Sequence, residues 1–336
     1  MGRTERAAVG LAAGLLLLSA CGANTPPAPL HSVTLVAKST QTEFWLSVFA
    51  GAEAAAAEYN LELTTVGPET EEDYETQNEM IARAVEAGTE ALVFSAIDFE
   101  KNAPAVDAAA QAGVRIVSID SGVDSSQVST YIGTDNYAAG QMAAQAALEQ
   151  VEGPLSVGLV NYDEGTANGQ ERERGVLDAL AQCGRASVAA EITTLVDAGQ
   201  ARDDTAALLA RHPDINVLVA FNEPTSVGAA QAVEELGLEE QVFLVGFDSN
   251  VATIEGLQTG SVDALVVQNP YAMGYLGVES AYRLLTGQAE ELAPMVDTST
   301  QIVYRSNLFS LDSQKALFAF GEALYWSLCQ IFPKFF

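Results

Sequence analysis

Ile116-Val117-Ser118-Ile119-Asp120-Ser121 and Phe243-Leu244-Val245-Gly246-Phe247-Asp248-Ser249 end alike: a short apolar run stops on an aspartate followed by a serine. Runs of this length with few polar interruptions read as parallel strands buried on both faces. In open α/β sheets, ligands bind at the carboxyl ends of such strands. Either aspartate alone reads equally well as a helix cap. Two of them at matching places, in two halves of one chain, point to a cleft shared by two domains. Their carboxylates would accept hydrogen bonds from neighbouring hydroxyls of a polyol.

The same pattern extends outward from both stretches. Strands are expected at Val33–Ala37, Leu61–Val66, Ala91–Phe94 and Arg115–Ile119. Helices are expected around Phe44–Glu58, Tyr74–Ala87 and Ala103–Ala112. The second half repeats the scheme with strands at Leu155–Val160, Val188–Thr193, Val217–Ala220, Val242–Val245 and Leu265–Val267. Short apolar runs alternating with helix-period segments predict an α/β fold of two doubly wound parallel sheets, built from right-handed βαβ units.

Composition narrows the function. A chain of 336 residues is long enough for about two domains, each with its own core. With 15 Lys+Arg against 45 Asp+Glu the formal net charge is -30, a field that repels phosphate backbones and argues against a nucleic-acid partner. Three Cys and two His are too few for a disulfide framework or a typical zinc site. His31 falls in a tether and His212 in a helix-ending loop, so both read as solvated surface. No G-x-G-x-x-G follows a strand, and neither a P-loop nor a nucleophile elbow is present. The chain is expected to have no catalytic residues, no metal and no cofactor.

The amino terminus reads as an export signal. Arg3 and Arg6 precede an apolar stretch around Leu15-Leu16-Leu17-Leu18, too short to span a bilayer comfortably. Leu18-Ser19-Ala20-Cys21 looks like a bacterial lipobox, which makes Cys21 the expected lipidation site and residues 1–20 the signal peptide. A diacylated cysteine carries enough buried methylenes for stable anchoring. Residues 21–31, with Pro26, Pro27 and Pro29, read as a semi-rigid tether.

From Ser32 to Phe318 the chain resembles the ribose-binding-like group of solute-binding proteins that serve bacterial sugar ABC transporters, the type I periplasmic-binding-protein fold. The resemblance rests on Phe44-Trp45 after the first strand, Ile119-Asp120-Ser121 and Gly133-Thr134-Asp135-Asn136-Tyr137-Ala138-Ala139-Gly140. It continues through Glu171-Arg172-Glu173-Arg174-Gly175, Phe221-Asn222-Glu223, Val245-Gly246-Phe247-Asp248 and Val267-Gln268-Asn269-Pro270. Each motif is short, and their order along the body carries the likeness. It implies two lobes joined by three crossovers that close on a sugar by hinge motion. The lobes would comprise residues 32–135 with 269–297, and 136–268 with 298–317, followed by an apolar tail over 318–336.

The resemblance also implies a ligand site. Phe44 and Trp45 would offer aromatic faces to a sugar ring, Asp120 and Asp248 would accept from hydroxyls, and Arg172 would donate a planar fork. Asn222 and Gln268 would both donate and accept, and Thr42 and Ser121 would stand at the rim. Arg174 would brace its lobe. Where the ribose-binding pattern has an arginine after the first strand-end aspartate, this chain has Ser121. Thr42 replaces an early amide, and an aromatic expected near Val196 is missing. A less basic rim leaves pentose, hexose and cyclic polyol open. Glu43 and Glu223 either flank the mouth or stabilise helix N-termini. The expected partners are a sugar or polyol, an ABC permease, and the membrane through the lipid anchor. A monomer is expected. A sensory receptor presenting the same ligand to a kinase or chemoreceptor is the alternative. Phe320, Tyr325 and Trp326 make the tail aromatic, and Cys183 and Cys329 read as free thiols or as one bond.

Overall fold

The computed structural model describes residues 31–318. Cys21, the signal segment, the tether up to residue 30, Cys329 and the tail beyond Phe318 therefore lie outside the described residues. In chain order the first elements are β1 (Ser32–Val36), α1 (Glu43–Tyr59), β2 (Glu62–Val66), α2 (Tyr74–Glu86), β3 (Ala91–Phe94), α3 (Ala103–Gln111), β4 (Arg115–Ile119) and β5 (Val128–Gly133). There follow α4 (Asn136–Gln150), β6 (Leu155–Tyr162), α5 (Ala167–Ala181), β7 (Ala186–Thr194), α6 (Ala198–Arg211), β8 (Val217–Ala220), α7 (Glu223–Leu236), β9 (Phe243–Phe247), α8 (Val251–Thr259) and β10 (Ala264–Val267). The described residues end with α9 (Pro270–Leu285), β11 (Met295–Asp297), β12 (Gln301–Tyr304) and α10 (Leu311–Leu317).

Two six-stranded sheets form, in the orders β11-β5-β4-β3-β1-β2 and β12-β10-β9-β8-β6-β7. The first sheet is parallel throughout. The second departs from the all-parallel expectation, because β12 runs antiparallel to β10. The cause is topological. β10 runs toward the crossovers, and β12 starts there, with Val267 opposite Gln301, so it can only run back. Sequence periodicity also misses β5, β11 and β12, of which β11 and β12 have only three and four residues. The central strands β3, β8 and β10 are buried along their whole length, as their uninterrupted apolar runs require.

Strand ends pass into helices through one recurring device. Asp135, Asn222 and Asn250 follow strands and accept a backbone N–H three residues on, opening α4, α7 and α8. Asn222 and Asn250 each complete a capping box with Thr225 and Thr253.

In each lobe a pair of helices that reaches the cleft touches backbone to backbone. A β-carbon at Gly51 would lie 2.0 Å from Tyr271 O and one at Gly274 1.9 Å from Val48 O, so α1 and α9 touch reciprocally. At Gly140 and Gly175 the distances are 2.0 Å to Arg172 O and 2.1 Å to Tyr137 O, which joins α4 to α5 in the same way. Any residue larger than glycine would force these helices apart. The consequence reaches the cleft, because α1 carries Phe44 and Trp45 and α5 carries Arg172. His31, read from sequence as part of the tether, is tied to the first sheet. Its carbonyl accepts from Glu62 N at 2.9 Å and its ring pairs with Glu90.

Candidate functional site

Among the described residues the chain passes between the sheets three times, at Thr134–Asp135, Gln268–Asn269 and Thr298–Thr300. The crossovers are stitched together: Thr134 Oγ1 donates to Gln268 Oε1 at 2.8 Å, Thr300 Oγ1 to Thr134 Oγ1 at 3.4 Å, and Thr298 N to Gly133 O at 2.9 Å. Beside them the carboxyl ends of both sheets face one another across a cavity. Its walls are Lys38, Thr42, Phe44, Trp45, Glu71, Asp120, Tyr162, Asn168, Arg172, Asn222, Glu223, Pro224, Asp248 and Gln268. About 300 Å³ of atom-free space, counting the part open to solvent, lies among them.

Asp120 and Asp248 occupy the two facing strand ends with φ of 56° and 66°. A non-glycine residue in this left-handed region is uncommon, though aspartate tolerates it better than most. The conformation turns both carboxylates off the ends of β4 and β9 into the cleft. Asp120 accepts from Ser95 Oγ at 2.9 Å and, across the cleft, from Asn168 Nδ2 at 3.3 Å. Asp248 accepts from Gln268 Nε2 at 2.6 Å through Oδ1 only. Burial pushes the Asp248 carboxyl up to about 6, against the pull of Arg172.

Arg172 is buried beneath the cavity. Its Nε donates to Asn136 Oδ1 at 2.9 Å, its Nη1 to Phe221 O at 2.6 Å, and its guanidinium lies 4.6 Å over the Phe247 ring. Its Nη2 is buried with no acceptor among the described residues. A charged donor left unpaired in the interior is costly, so an added acceptor at this point would relieve the site.

The first lobe supplies a cation after all. The sequence reading, with Ser121 where an arginine is expected, makes the rim less basic. The structure puts Lys38, at the end of β1, inside the cavity wall and only 2% exposed. Its Nζ lies 3.3 Å from Glu71 Oε2 and donates to Thr166 Oγ1 at 3.0 Å. Burial opposes the charge, but Glu71, Tyr162 and Asp120 overcome it and hold the ammonium above its ordinary value. Glu71 also accepts from Trp45 Nε1 at 2.7 Å and so fixes the indole, whose ring meets Phe44 edge-on at 5.2 Å.

Other expected site residues divide. Phe44, Trp45, Asp120, Arg172, Asp248 and Gln268 come together around the cavity. Asn222 also lines it, but its Oδ1 accepts from Thr225 N at 3.0 Å and Thr225 Oγ1 at 2.7 Å, so only the amide nitrogen is left for a ligand. Thr42 lines it while capping α1, accepting from Trp45 N at 3.4 Å. Ser121 does not belong to the wall. It is fully buried behind Asp120, with Oγ 3.3 Å from Thr166 Oγ1, because the left-handed turn at Asp120 sends the next residue away. Arg174 stacks over Tyr137 at 4.9 Å, bracing α5 on α4. Near Val196, where an aromatic is missing, the backbone N–H donates across the cleft to Glu72 Oε1 at 2.8 Å. Cys183 is a half-buried free thiol.

Lys38, Glu71, Tyr162 and Asn168 are cavity residues that the sequence reading passes over. Lys38 and Tyr162 sit at strand ends, so the rule that found Asp120 would have found them too. Glu71 lies inside the acidic run Glu69-Thr70-Glu71-Glu72-Asp73, where nothing local separates a buried carboxylate from solvated ones. Among the described residues, no helix is long and apolar enough to cross a membrane.

Comparison with known proteins supplies the context for this cavity. The Periplasmic binding protein domain family matches residues 33–289. The D-ribose/D-allose-binding protein of Pseudomonas aeruginosa is 30% identical over 299 residues, covering 86% of this chain and 92% of that protein. Among solved structures, a carbohydrate transporter solute binding protein from Agrobacterium radiobacter, in complex with D-arabinose, superposes with a TM-score of 0.82. It is 28% identical, and the match covers 85% of this chain and 98% of that one. An ABC transporter solute binding protein from Agrobacterium vitis with bound D-fucose also gives 0.82, at 26% identity, covering 85% and 100%.

Proposed function

The chain belongs to the periplasmic binding protein family, and on that premise we propose that it captures one neutral monosaccharide or small cyclic polyol between its lobes and delivers it to an ABC importer. One observation carries the ligand reading: the buried Arg172 Nη2 lacks an acceptor in the same cavity where Asp248 keeps an oxygen without a donor. A ring oxygen next to a hydroxyl answers both, the oxygen accepting from Arg172 and the hydroxyl donating to Asp248. The aromatic faces of Phe44 and Trp45 suit the apolar side of a sugar ring. Lys38 and Arg172 are outweighed by Asp120, Asp248, Glu71 and Glu223, which speaks against an anionic ligand.

The residues take their roles from this arrangement. Asp120, Asp248 and Glu71 accept from hydroxyls, Arg172 and Lys38 donate, and the Asn222 amide and Gln268 complete the polar shell. Closing the lobes without ligand buries these groups half-satisfied, so ligand shifts the hinge toward the closed form. No bond is made or broken. We assign residues 32–135 with 269–297 and residues 136–268 with 298–317 to the two lobes, and residues 1–20 to an export signal. Cys21 is the lipid-bearing residue that anchors a monomer outside the cytoplasm.

A thermal-shift panel of pentoses, hexoses, inositols, nucleosides and amino acids tests the ligand class. A neutral sugar or polyol should raise Tm by linkage. A shift from amino acids alone would overturn the sugar reading. For the anchor, Cys21→Ser protein should leave the membrane fraction; unchanged fractionation would remove the lipid.

A further inference from the structure

Glu223, the first residue of α7, belongs to the second lobe, but its carboxylate is spent on the first. Its Oε2 accepts from Phe44 N at 2.9 Å and its Oε1 from Glu43 N at 3.3 Å. These are the first two N–H groups of α1, which no carbonyl of the helix itself can satisfy. Thr42, the cap of α1, takes only the third, from Trp45. The amino terminus of α1 is thus capped by two residues, one from its own lobe and one from across the cleft. The contact exists only while the lobes are together, and it leaves Glu223 just 8% exposed.

Resting on the reading of this cleft as a hinged ligand site, we propose that Glu223 is a clasp between the lobes that takes up a proton as they close. Two backbone N–H donors, the Asn250 side chain and the positive ends of both α1 and α7 favour the carboxylate. Burial and the neighbouring charges oppose it. Asp248 acts on Glu223 from the end of β9, and Glu43 of α1, Asp197 before α6 and Glu255 of α8 line the groove beside it, all acidic. Lys38 and Arg172 lie across the cavity, paired mainly with other groups. Burial prevails and lifts the Glu223 carboxyl to about 7, with Asp248 adding to the rise and the Phe44 N–H resisting it.

The sign follows from linkage. On opening, Glu223 returns to water and falls back toward the ordinary value of 4.5. Between that value and about 7 the closed form binds a proton that the open form releases, so acid favours closure and alkali opposes it.

The test is calorimetry with D-allose, and with D-ribose, D-arabinose and D-fucose in turn, in two buffers of different ionisation enthalpy at pH 6.5. Wild type should take up roughly 0.7 proton per sugar bound more than Glu223→Gln does. Affinity should tighten on going from pH 8 to pH 5.5 in wild type, and by at least several-fold less in the variant. Equal proton uptake by the two proteins overturns the clasp, because Asp248 is present in both. If none of the four sugars binds, the wider thermal-shift panel decides the ligand class separately. The clasp is then decided on ligand-free protein, from spin-label distances between α2 and α6. The closed fraction should rise from pH 8 to pH 5.5 in wild type and stay level in Glu223→Gln, and identical behaviour of the two overturns the proposal.

Discussion

Asp120 and Asp248 share a backbone conformation, a place at the end of a central strand and a neighbouring serine, and they are employed differently. Both oxygens of Asp120 have donors within the protein, one of them Asn168 of the opposite lobe. Asp248 has Gln268 on one oxygen and keeps the other, beside an arginine with a spare N–H. The first carboxylate is tied mainly to the protein, part of it across the cleft, while the second keeps an oxygen without a donor. Repetition of a fold unit duplicates the backbone and the edge where chemistry happens. It does not duplicate the environment, which is set by whichever side chains arrive from elsewhere in the chain.

Deleting the cation that distinguishes the second aspartate should have the largest effect. Arg172→Ala is expected to cost roughly 2–5 kcal/mol of sugar binding by calorimetry, because Asp248 then stays buried without its counter-ion. Unchanged affinity would remove Arg172 from the site. The comparison itself is tested by two isosteric changes, chosen because asparagine also tolerates the left-handed region. Asp248→Asn should weaken binding by ~1.5–3 kcal/mol, the value of a charged hydrogen bond. Asp120→Asn should weaken it less, since its partners Ser95 and Asn168 remain; equal losses would break the asymmetry.

The glycine clamps separate support from contact. Gly175→Ala should destabilise the fold by ~1–3 kcal/mol in denaturant unfolding. Gly140→Ala presses on the Arg172 carbonyl, so it should also lower affinity, as should Gly51→Ala through α1. Loss of stability with full affinity in all three would show that the helix contacts do not position the site.

A smaller effect should appear in the pH dependence of Tm. Burial lifts Asp248 and Asp263 from the ordinary 3.8 to about 6. The folded state therefore holds these protons more tightly than the unfolded chain. That contribution is complete below about pH 4 and is lost as pH rises through about 6, so Tm should fall between pH 5 and pH 8. Asp248→Asn and Asp263→Asn should each flatten the fall, and only the first should touch binding. A Tm that climbs over this interval would contradict both shifts.

Most of the fold is legible in the sequence because buried parallel strands leave uninterrupted apolar runs, as at Ala91–Phe94 and Val217–Ala220. The antiparallel β12 is not, because a short edge strand buries too little to leave such a run and its direction depends on where the third crossover delivers it. The site is legible where a residue's position on a strand edge suffices, as for Asp120 and Asp248. It is misread at Ser121, where a left-handed turn redirects the chain. At Asn222 a capping box, itself visible as Asn-x-x-Thr, takes the oxygen that the ligand reading needed.

The sequence by itself determined the strand and helix alternation, the caps that start the helices, and the edge on which both aspartates stand. Each of these rests on groups a few residues apart, where chain geometry leaves few alternatives. The tertiary structure alone decided that Lys38 pairs with Glu71 and faces the cleft, which oxygen of Asp248 is left over, and that Glu223 caps a helix 180 residues earlier in the chain. Those pairings form between lobes and between sheet ends, where the partner of a charged group is fixed by how two surfaces meet.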